Sequence, residues 1–216
     1  MPLYLSQNLG EQLHLAVWEI NESDEFFQNA YSVNADLLKW LGGLHPLKRK
    51  EYLASRYLIH NQLGIHPEES LFKDQYGKVH SKKEDLFISI SHSHRFAAAA
   101  WGQQKMGVDL QVFQNKICSI LPKFLNDEEL QWLEEFSDEE SCIKNAVLFW
   151  SLKEAVYKCY GKKEISFRNQ IHLQLDHKSD QVICQEAYIE IDFSLLSYQT
   201  KHGLEAEFAW ATATHQ

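Results

Sequence analysis

The sequence predicts an α+β protein built from two similar halves in one chain. It has 216 residues, of which 44 % are hydrophobic and 24 % charged, and it contains only 9 Gly and 4 Pro. This composition is typical of a folded protein, and the length suits two domains of about 100 residues each. Predicted strands and helices also occur in the same order in both halves of the chain: a strand, helices, then two or more strands. Because the second series begins near residues 103–106, we expect domains spanning residues 1–104 and 105–216.

The first half is predicted to contain one long helix between strands. Apolar residues recur at helical spacing over residues 47–63, and Gly64 supplies a stop. Residues 74–77 are a turn signal, so we expect a loop that ends at Lys78. The other predicted elements are a strand over 13–20, a short helix over 34–41, and two strands over 86–91 and 96–101 joined by a polar turn.

The second half is predicted to place its strongest helix between a strand and a meander. We expect a strand over 106–112, interrupted by the charge of Asp109. Asn126 is a good N-cap for a helix with an acidic first turn, and the strongest helix covers 145–160 before Gly161. The tail is expected to form antiparallel strands over 165–175, 182–193 and 204–212.

Charge and apolar patterning exclude several classes of protein. The net charge of −9 argues against general affinity for nucleic acid. The longest apolar run, residues 96–101, is far shorter than the roughly 20 residues that cross a bilayer, so no membrane-spanning helix is expected. Residues 1–38 contain no Lys or Arg and so lack the basic features of secretory and transit signals, which predicts a cytoplasmic protein.

The four cysteines match neither a zinc pattern nor a dense disulfide framework, so we expect reduced thiols.

Two basic segments, residues 45–60 and 143–168, stand out in this acidic chain. The simplest interpretation is that each is the solvated face of a helix. An anionic ligand would need such a local basic site, since the chain as a whole repels it.

Asp109 and Gln111 are candidates for binding a divalent cation. They are two residues apart in a predicted strand, so their side chains are expected on the same face. Carboxylate and amide oxygens are hard donors that suit Mg²⁺. The pattern is common, and a strand-end Asp bonded to a turn is the structural alternative.

Glu154 and Lys158 are predicted neighbours on one face of the strongest helix. Trp150 lies on the same stripe one turn earlier, so part of this face is expected to be buried, where unpaired charges are expensive. A ligand-binding role and a routine surface ion pair are both open at this point.

Residues 89–94 form a hydroxyl- and imidazole-rich turn that suits an oxyanion such as phosphate. A plain hairpin loop is the alternative. A serine nucleophile is disfavoured because no G-x-S-x-G elbow is present. His92 and His94 lack further ligands at the spacing of a zinc site.

Taken in order, these segments resemble the 4'-phosphopantetheinyl transferases of the surfactin-synthetase-activating (Sfp-like) type. The resemblance is carried by Gly107-Val108-Asp109 and, further on, by Trp150-Ser151-Leu152-Lys153-Glu154-Ala155 followed by Lys158. Upstream support comes from Gly77-Lys78, from the run Phe87-Ile88-Ser89-Ile90-Ser91-His92-Ser93, which is similar to the family's F-N-x-S-H-S segment, and from the basic helix between Arg49 and Arg56. The matches run from about residue 45 to residue 170.

The resemblance implies a pseudo-twofold pair of similar α/β halves, for which a monomer is sufficient. The implied reaction transfers the 4'-phosphopantetheine arm of coenzyme A to a serine of an apo acyl carrier or peptidyl carrier protein, releasing adenosine 3',5'-bisphosphate. Asp109 and Glu154 would hold Mg²⁺ against the coenzyme's pyrophosphate. Lys158 would stabilise charge on the phosphate oxygens, and Glu154 would also be the base for the serine hydroxyl.

Further residues align with binding positions of the family. Ser91 and His92 match positions that contact the region of the coenzyme's 3'-phosphate, and Glu129 aligns with an acidic residue near the metal in some relatives. The other implied coenzyme contacts are Arg49, Arg56, Lys78, Lys153 and Lys158.

Gln111 stands where many relatives carry the Glu of a D-x-E pattern. The neutral amide removes one negative charge, so metal affinity is expected to fall and Gln111 is only a candidate third ligand. This departure makes a non-catalytic coenzyme A or carrier-binding member of the fold conceivable. A metal-dependent phosphohydrolase, which would release phosphopantetheine without a carrier, is the second alternative. Val79, where the family usually has Pro, should alter only loop stiffness.

The implied carrier partner is typically acidic. A chain of net charge −9 can meet it only through a local basic or apolar patch. We expect this patch in residues 112–124, which include Lys116 and Lys123.

Overall fold

The structure is a computed structural model that describes residues 3–10, 13–178 and 181–215. The chain divides into two compact units, one running through Gln103 and the other beginning at Gln104. Each unit combines strands and helices around its own hydrophobic core. The predicted α+β class is therefore confirmed.

The N-terminal unit contains a four-stranded sheet in the order β1-β2-β6-β5 and a separate β3-β4 hairpin. Its strands are β1 (Leu3–Asn8), β2 (His14–Glu19), β3 (Leu71–Lys73), β4 (Val79–Ser81), β5 (Phe87–Ser93) and β6 (Phe96–Gly102). Its helices are α1 (Asp24–Ala30), α2 (Ala35–Gly42), α3 (Pro46–Leu63) and α4 (Pro67–Ser70). Helix α3 packs on the sheet through its buried stripe, which includes Leu53 and Leu58, and ends at Gly64 in the left-handed conformation.

The C-terminal unit contains a five-stranded antiparallel sheet in the order β7-β11-β10-β9-β8. Its strands are β7 (Met106–Val112), β8 (Ile171–Lys178), β9 (Gln181–Ile191), β10 (Ser194–Leu204) and β11 (Phe208–His215). Its helices are α5 (Leu121–Phe124), α6 (Asp127–Glu134), α7 (Glu139–Tyr160) and α8 (Phe167–Gln170), with a 3₁₀ helix over Asn115–Ile120. Helix α7 packs on β7 and β11 and supplies much of the core of this unit.

Each unit, taken by itself, joins its strands in a similar way. In the N-terminal unit β2 pairs antiparallel with β6, across the helices that separate them in sequence. In the C-terminal unit β7 pairs antiparallel with β11 in the same manner. One long helix, α3 or α7, packs on the strand pair in each case. The repeated order of elements in the sequence therefore corresponds to a repeated strand connection.

Helix α7 begins at Glu139, earlier than the predicted start at residue 145. The Asp138 side chain accepts a hydrogen bond from the Ser141 amide and caps the helix. The two acidic residues of the first turn, Glu139 and Glu140, also favour this start because they face the positive end of the helix dipole.

The described part of the tail contains four strands, whereas three were predicted. The expected strand over 165–175 begins only at Ile171, because Ser166 caps the short helix α8 before it. The prediction placed the last strand over 204–212, but β10 ends at Leu204 and β11 begins at Phe208. The sequence did not predict strands β1, β3, β4 and β10, helices α1, α4, α5 and α8, or the 3₁₀ helix.

No helix in the described part of the chain is both long enough and apolar enough to cross a membrane.

Candidate functional site

Gly107 allows strand β7 to lie directly against helix α7. A Cβ atom at this position would come within 2.0 Å of the Ala155 carbonyl oxygen and 2.5 Å of the Cys159 amide nitrogen. Asp109 lies two residues further along β7 and projects from the same face of the strand. The close approach therefore carries the Asp109 carboxylate to the surface of α7.

The structure brings three charged residues together at this contact. The Lys158 ammonium donates a hydrogen bond of 2.7 Å to Asp109 Oδ1. Glu154 lies one turn before Lys158 on α7. The pKa of Glu154 is raised to about 7, first by burial and then by the negative charge of Asp109, while Lys158 opposes the shift. The Lys158 ammonium thus pairs with Asp109 and acts on Glu154 through its charge.

This donor set fits a hard divalent cation. The two carboxyl groups repel each other in spite of Lys158, and a cation between them would relieve that repulsion. Gln111 lies on the same strand face as Asp109, with its Nε2 3.5 Å from the Val112 carbonyl oxygen. Within the described residues, no three His, Cys, Asp or Glu side chains converge on a metal position. A metal here would therefore need ligands from water or substrate, as Mg²⁺ commonly does.

Lys153 lies in a different environment from Lys158. Its side chain is fully buried, and its ammonium group is 2.6 Å from Glu129 Oε2. It also donates to the carbonyl oxygens of Phe167 at 2.9 Å and Ile171 at 2.7 Å. Burial lowers the pKa of Lys153, and Glu129 opposes this change. The three N–H donors are satisfied within the fold, which differs from the coenzyme contact expected from the resemblance.

Glu129 is likewise engaged by the fold. It closes a capping box with Asn126 at the start of α6, accepting the Asn126 amide at 3.0 Å. Its other oxygen, Oε1, accepts the Leu173 amide at 3.2 Å. Together with Lys153, these bonds use both oxygens of a carboxylate that is only 2 % exposed. Glu129 therefore ties α6 to α7 and β8, and this geometry gives no support to the expected role as a metal ligand.

In the N-terminal unit, Ser91 and His92 project from opposite faces of β5, since neighbouring strand residues alternate. Ser91 is buried, and His92 is more exposed. His92 Nδ1 lies 3.2 Å from Glu51 Oε2 on helix α3. Sequence reasoning missed Glu51. A signal was available, because Glu51 precedes Ser55 and Leu58 by one and two turns on the buried stripe of α3.

The predicted loop at Lys78 joins β3 to β4 and is organised by Asp74. Asp74 Oδ1 accepts the backbone amides of Tyr76 at 2.9 Å and Lys78 at 3.0 Å. Its Oδ2 lies 2.8 Å from His80 Nε2, and this hydrogen bond is the main reason that the pKa of Asp74 lies below its usual range. The sequence signalled the turn but not that Asp74 holds the Lys78 backbone in place.

Arg49 and Arg56 have different partners. Arg49 Nε pairs with Asp24 at 2.6 Å. Arg56 is buried, packs over the Tyr52 ring at 4.4 Å, and lines a pocket of about 350 Å³ together with Lys73. Burial lowers the pKa of Lys73, and the nearby charge of Arg56 lowers it further. The pocket is also lined by the aromatic residues Trp40, Tyr52 and Phe72 and by Glu68.

Comparison with known proteins identifies a family for the C-terminal unit. The sequence model described as "4'-phosphopantetheinyl transferase superfamily" matches residues 105–213, about half of the chain. No curated protein matches the sequence. Among solved structures, the chain is similar to a holo-(acyl-carrier-protein) synthase from Bacillus anthracis str. Ames in complex with CoA (3',5'-ADP). That match has a TM-score of 0.40 and 15 % identity, and it covers 51 % of this chain and 94 % of the other. The family assignment rests on the match of residues 105–213 alone.

Proposed function

Because this chain belongs to the 4'-phosphopantetheinyl transferase superfamily, we propose that it transfers the 4'-phosphopantetheine arm of coenzyme A to a serine of an apo acyl carrier or peptidyl carrier protein. The serine oxygen forms a bond to the phosphorus that bears the pantetheine arm. The bond from that phosphorus to the bridging oxygen of the pyrophosphate breaks, and adenosine 3',5'-bisphosphate leaves. The serine proton passes to a base on the enzyme.

The observation that carries the proposal is the cluster of Asp109, Glu154 and Lys158. Glu154 is the base, since a carboxyl group with a pKa of about 7 can accept a proton near neutral pH. Lys158 lies one turn away and stabilises the negative charge that develops on the phosphate oxygens. Asp109 holds the Lys158 ammonium in place at 2.7 Å.

Asp109 and Glu154 are also the residues that would hold Mg²⁺, with Gln111 on the same strand face as a candidate third ligand. When bound, Mg²⁺ would neutralise the pyrophosphate and polarise the phosphorus under attack. We do not assign Glu129 to the metal or Lys153 to the coenzyme, because the two side chains form a buried ion pair with each other.

We assign the nucleotide end of the coenzyme to residues of the N-terminal unit. The Arg56 pocket offers aromatic surfaces for a purine ring and two cations whose mutual repulsion a phosphate would relieve. Ser91, His92 and Lys78 are assigned to the 3'-phosphate region, as the resemblance implies. Arg49 is a weaker candidate, since Asp24 already neutralises it.

We further propose the surfactin-synthetase-activating type, because two units with a similar strand connection follow one another in this chain. The carrier is assigned to the segment from Val112 to Phe124. Phe124 and Ile117 anchor this segment in the core, whereas Lys116 and Lys123 are exposed.

Replacing Glu154 tests the mechanism. Glu154→Gln keeps the shape of the side chain but removes the base and one metal ligand, so we expect transfer to fall by at least about 1000-fold. The measurement is the gain of the phosphopantetheine arm by an apo carrier, followed by mass spectrometry while Mg²⁺ is titrated. A near-normal rate in this variant would remove Glu154 from the mechanism.

Glu140→Gln is the matched control. Glu140 also precedes a lysine by four residues on α7 and pairs with Lys144 at 2.5 Å, but it is 77 % exposed. We expect this variant to keep the wild-type rate. Omitting the carrier tests the phosphohydrolase alternative, because a hydrolase would release phosphopantetheine without it. Binding of coenzyme A with no transfer to any carrier would favour the non-catalytic alternative.

A further inference from the structure

Glu51 is a carboxylate buried inside the N-terminal unit. It lies on the stripe of α3 that faces the sheet, and its side chain is 3 % exposed. A buried carboxylate is costly unless other groups compensate its charge. Two groups do so at Oε2: the Lys48 ammonium at 2.8 Å and His92 Nδ1 at 3.2 Å.

The contact with Glu51 determines how His92 can be protonated. An ionised carboxylate can only accept a hydrogen bond, so the His92 Nδ1 must carry the hydrogen that lies between them. This fixes the ring orientation and leaves Nε2 at the edge of the ring opposite Glu51, where it can donate to an anion once the ring is an imidazolium with a hydrogen on both nitrogens. The His92 side chain is 38 % exposed, so a ligand can reach it, whereas Glu51 is closed to solvent.

The two partners of Glu51 differ in how firmly they are held. Lys48 is 61 % exposed and sits on a flexible stem three residues away on the same helix. His92 belongs to β5, which is paired along its length with β6. The Glu51–His92 bond therefore links the helix to the sheet at the residue assigned to the coenzyme.

We propose that Glu51 is a positioning residue that keeps Nδ1 of His92 protonated and fixes the ring orientation, so that Nε2–H of the imidazolium donates to the 3'-phosphate of coenzyme A. The role of the 3'-phosphate rests on the proposed function. The hydrogen bond between Glu51 and His92 does not. The two parts can therefore be tested separately.

The first test uses nuclear magnetic resonance and needs no substrate. Ring ¹⁵N shifts of His92 are assigned by their absence in His92→Ala. In the wild-type protein we expect the shift of a protonated Nδ1. In Glu51→Leu, which keeps a similar volume and removes the acceptor, we expect that signature to be lost. Glu51→Gln should restore it in part, because the amide oxygen can still accept. An unchanged His92 spectrum in both variants would overturn the proposal.

The second test compares coenzyme A with 3'-dephospho-coenzyme A in the transfer assay. For Glu51→Leu we expect the KM for coenzyme A to rise about tenfold, because one charge-assisted hydrogen bond is lost. The kcat should stay within about twofold of wild type. The KM for the dephospho coenzyme should not change. A general structural defect would raise both KM values or lower kcat, and either result would count against a positioning role.

A double-mutant cycle and a control complete the test. In the His92→Ala background, Glu51→Leu should have no further effect on the KM for coenzyme A. Glu84→Leu, the same change at an exposed carboxylate of the same unit, should behave as wild type. If the spectrum of His92 changes but both KM values stay the same, Glu51 still orients His92, and the assignment of His92 to the 3'-phosphate fails. If no coenzyme is used at all, the proposed function fails while the spectroscopic result stands.

Discussion

At Glu154 the fold holds a proton more tightly than the unfolded chain does. Its pKa rises from 4.5 to about 7, first because of burial and then because of the charge of Asp109. Between these two pH values the folded protein binds more protons at this site than the unfolded chain does. The contribution of Glu154 to the free energy of unfolding therefore falls as pH rises through that range.

We expect Glu154→Gln to stabilise the metal-free protein by about 2 kcal/mol at pH 8 and to have little effect at pH 5. Urea denaturation in the presence of a chelator, at both pH values, measures the difference. Mg²⁺ should raise the stability of the wild type at pH 8 more than that of the variant. An equal effect of the substitution at both pH values would show that Glu154 is not the group that titrates.

The two lysines of the segment from Trp150 to Lys158 show what the sequence can and cannot predict about single residues. Lys153 and Lys158 are five residues apart, which places them about 140° apart around the helix. The resemblance to the family identified both lysines. It could not predict their ion-pair partners, because these lie in elements distant in sequence. Lys158 meets Asp109 on β7, and Lys153 meets Glu129 on α6. For the same reason Glu51 could be suspected from its position on the helix, but its contact with His92 could not.

At the scale of elements, the contact between β7 and α7 leaves no room for an added side-chain atom at Gly107. Gly107 has no Cβ, and the space that a Cβ would need is filled by the backbone at Ala155 and Cys159. A backbone neighbour cannot move aside as a flexible side chain can. The separation between the carboxylates of Asp109 and Glu154 therefore depends on a residue with no side chain.

We expect Gly107→Ala to lower the free energy of unfolding by about 3 kcal/mol and to abolish transfer, because the strand must move away from the helix. Thermal denaturation and the transfer assay report the two effects. Gly42→Ala is the control, since a Cβ there would meet no atom within 4 Å at the end of a helix. That variant should retain activity, with stability unchanged or slightly increased. A fully active Gly107→Ala protein would contradict the close packing described here.

Elements with a strong buried periodicity could be predicted, and elements at sheet edges or with mostly polar faces could not. The sequence indicated α3, β6 and β7 because each carries several buried apolar residues. It indicated β5 by alternation, although Ile88 is the one apolar residue of β5 that is fully buried. Strand β10 was not predicted because it has two fully buried residues, Tyr198 and Thr200. Strand β1 lies at the edge of its sheet and has no fully buried residue. Tertiary pairing determines such strands more than their own composition does.

For the whole molecule, charge is the property that most affects a carrier partner. The net charge is −9, so an acidic carrier is repelled at long range. The segment with Lys116 and Lys123 is exposed and basic, unlike the chain as a whole. Its residues Ile117 and Phe124 are buried in the core, and the Phe124 ring packs edge to face on Trp150 at 5.0 Å. Its position after β7 was predictable from the sequence. The burial of Ile117 and Phe124 could not be predicted, because it depends on contacts with elements distant in sequence.

Changing both Lys116 and Lys123 to Glu should slow modification of an acidic carrier about tenfold at low ionic strength, mainly by slowing association. The difference from wild type should shrink as salt is added, since screening removes the long-range term. Rates measured across a salt series test this, with the KM for coenzyme A as a control that should stay constant. Unchanged rates and an unchanged salt dependence would place the carrier elsewhere.

The pairing of β7 with β11 has a consequence for how the protein is made. Asp109 lies opposite Ala211 in the sheet, and β7 is at the sheet edge, so β11 is its partner in the ladder. A nascent chain that has emerged from the ribosome only as far as helix α7 contains Asp109, Glu154 and Lys158 but lacks the strand that aligns the first of them. Pairing between strands this distant in sequence is expected to slow folding, because the intervening loop must close before their contacts form. We therefore expect the Asp109 carboxylate to be aligned only after the segment around residue 211 has been synthesised. Truncated translation products would then contain Asp109, Glu154 and Lys158 without the alignment that transfer requires.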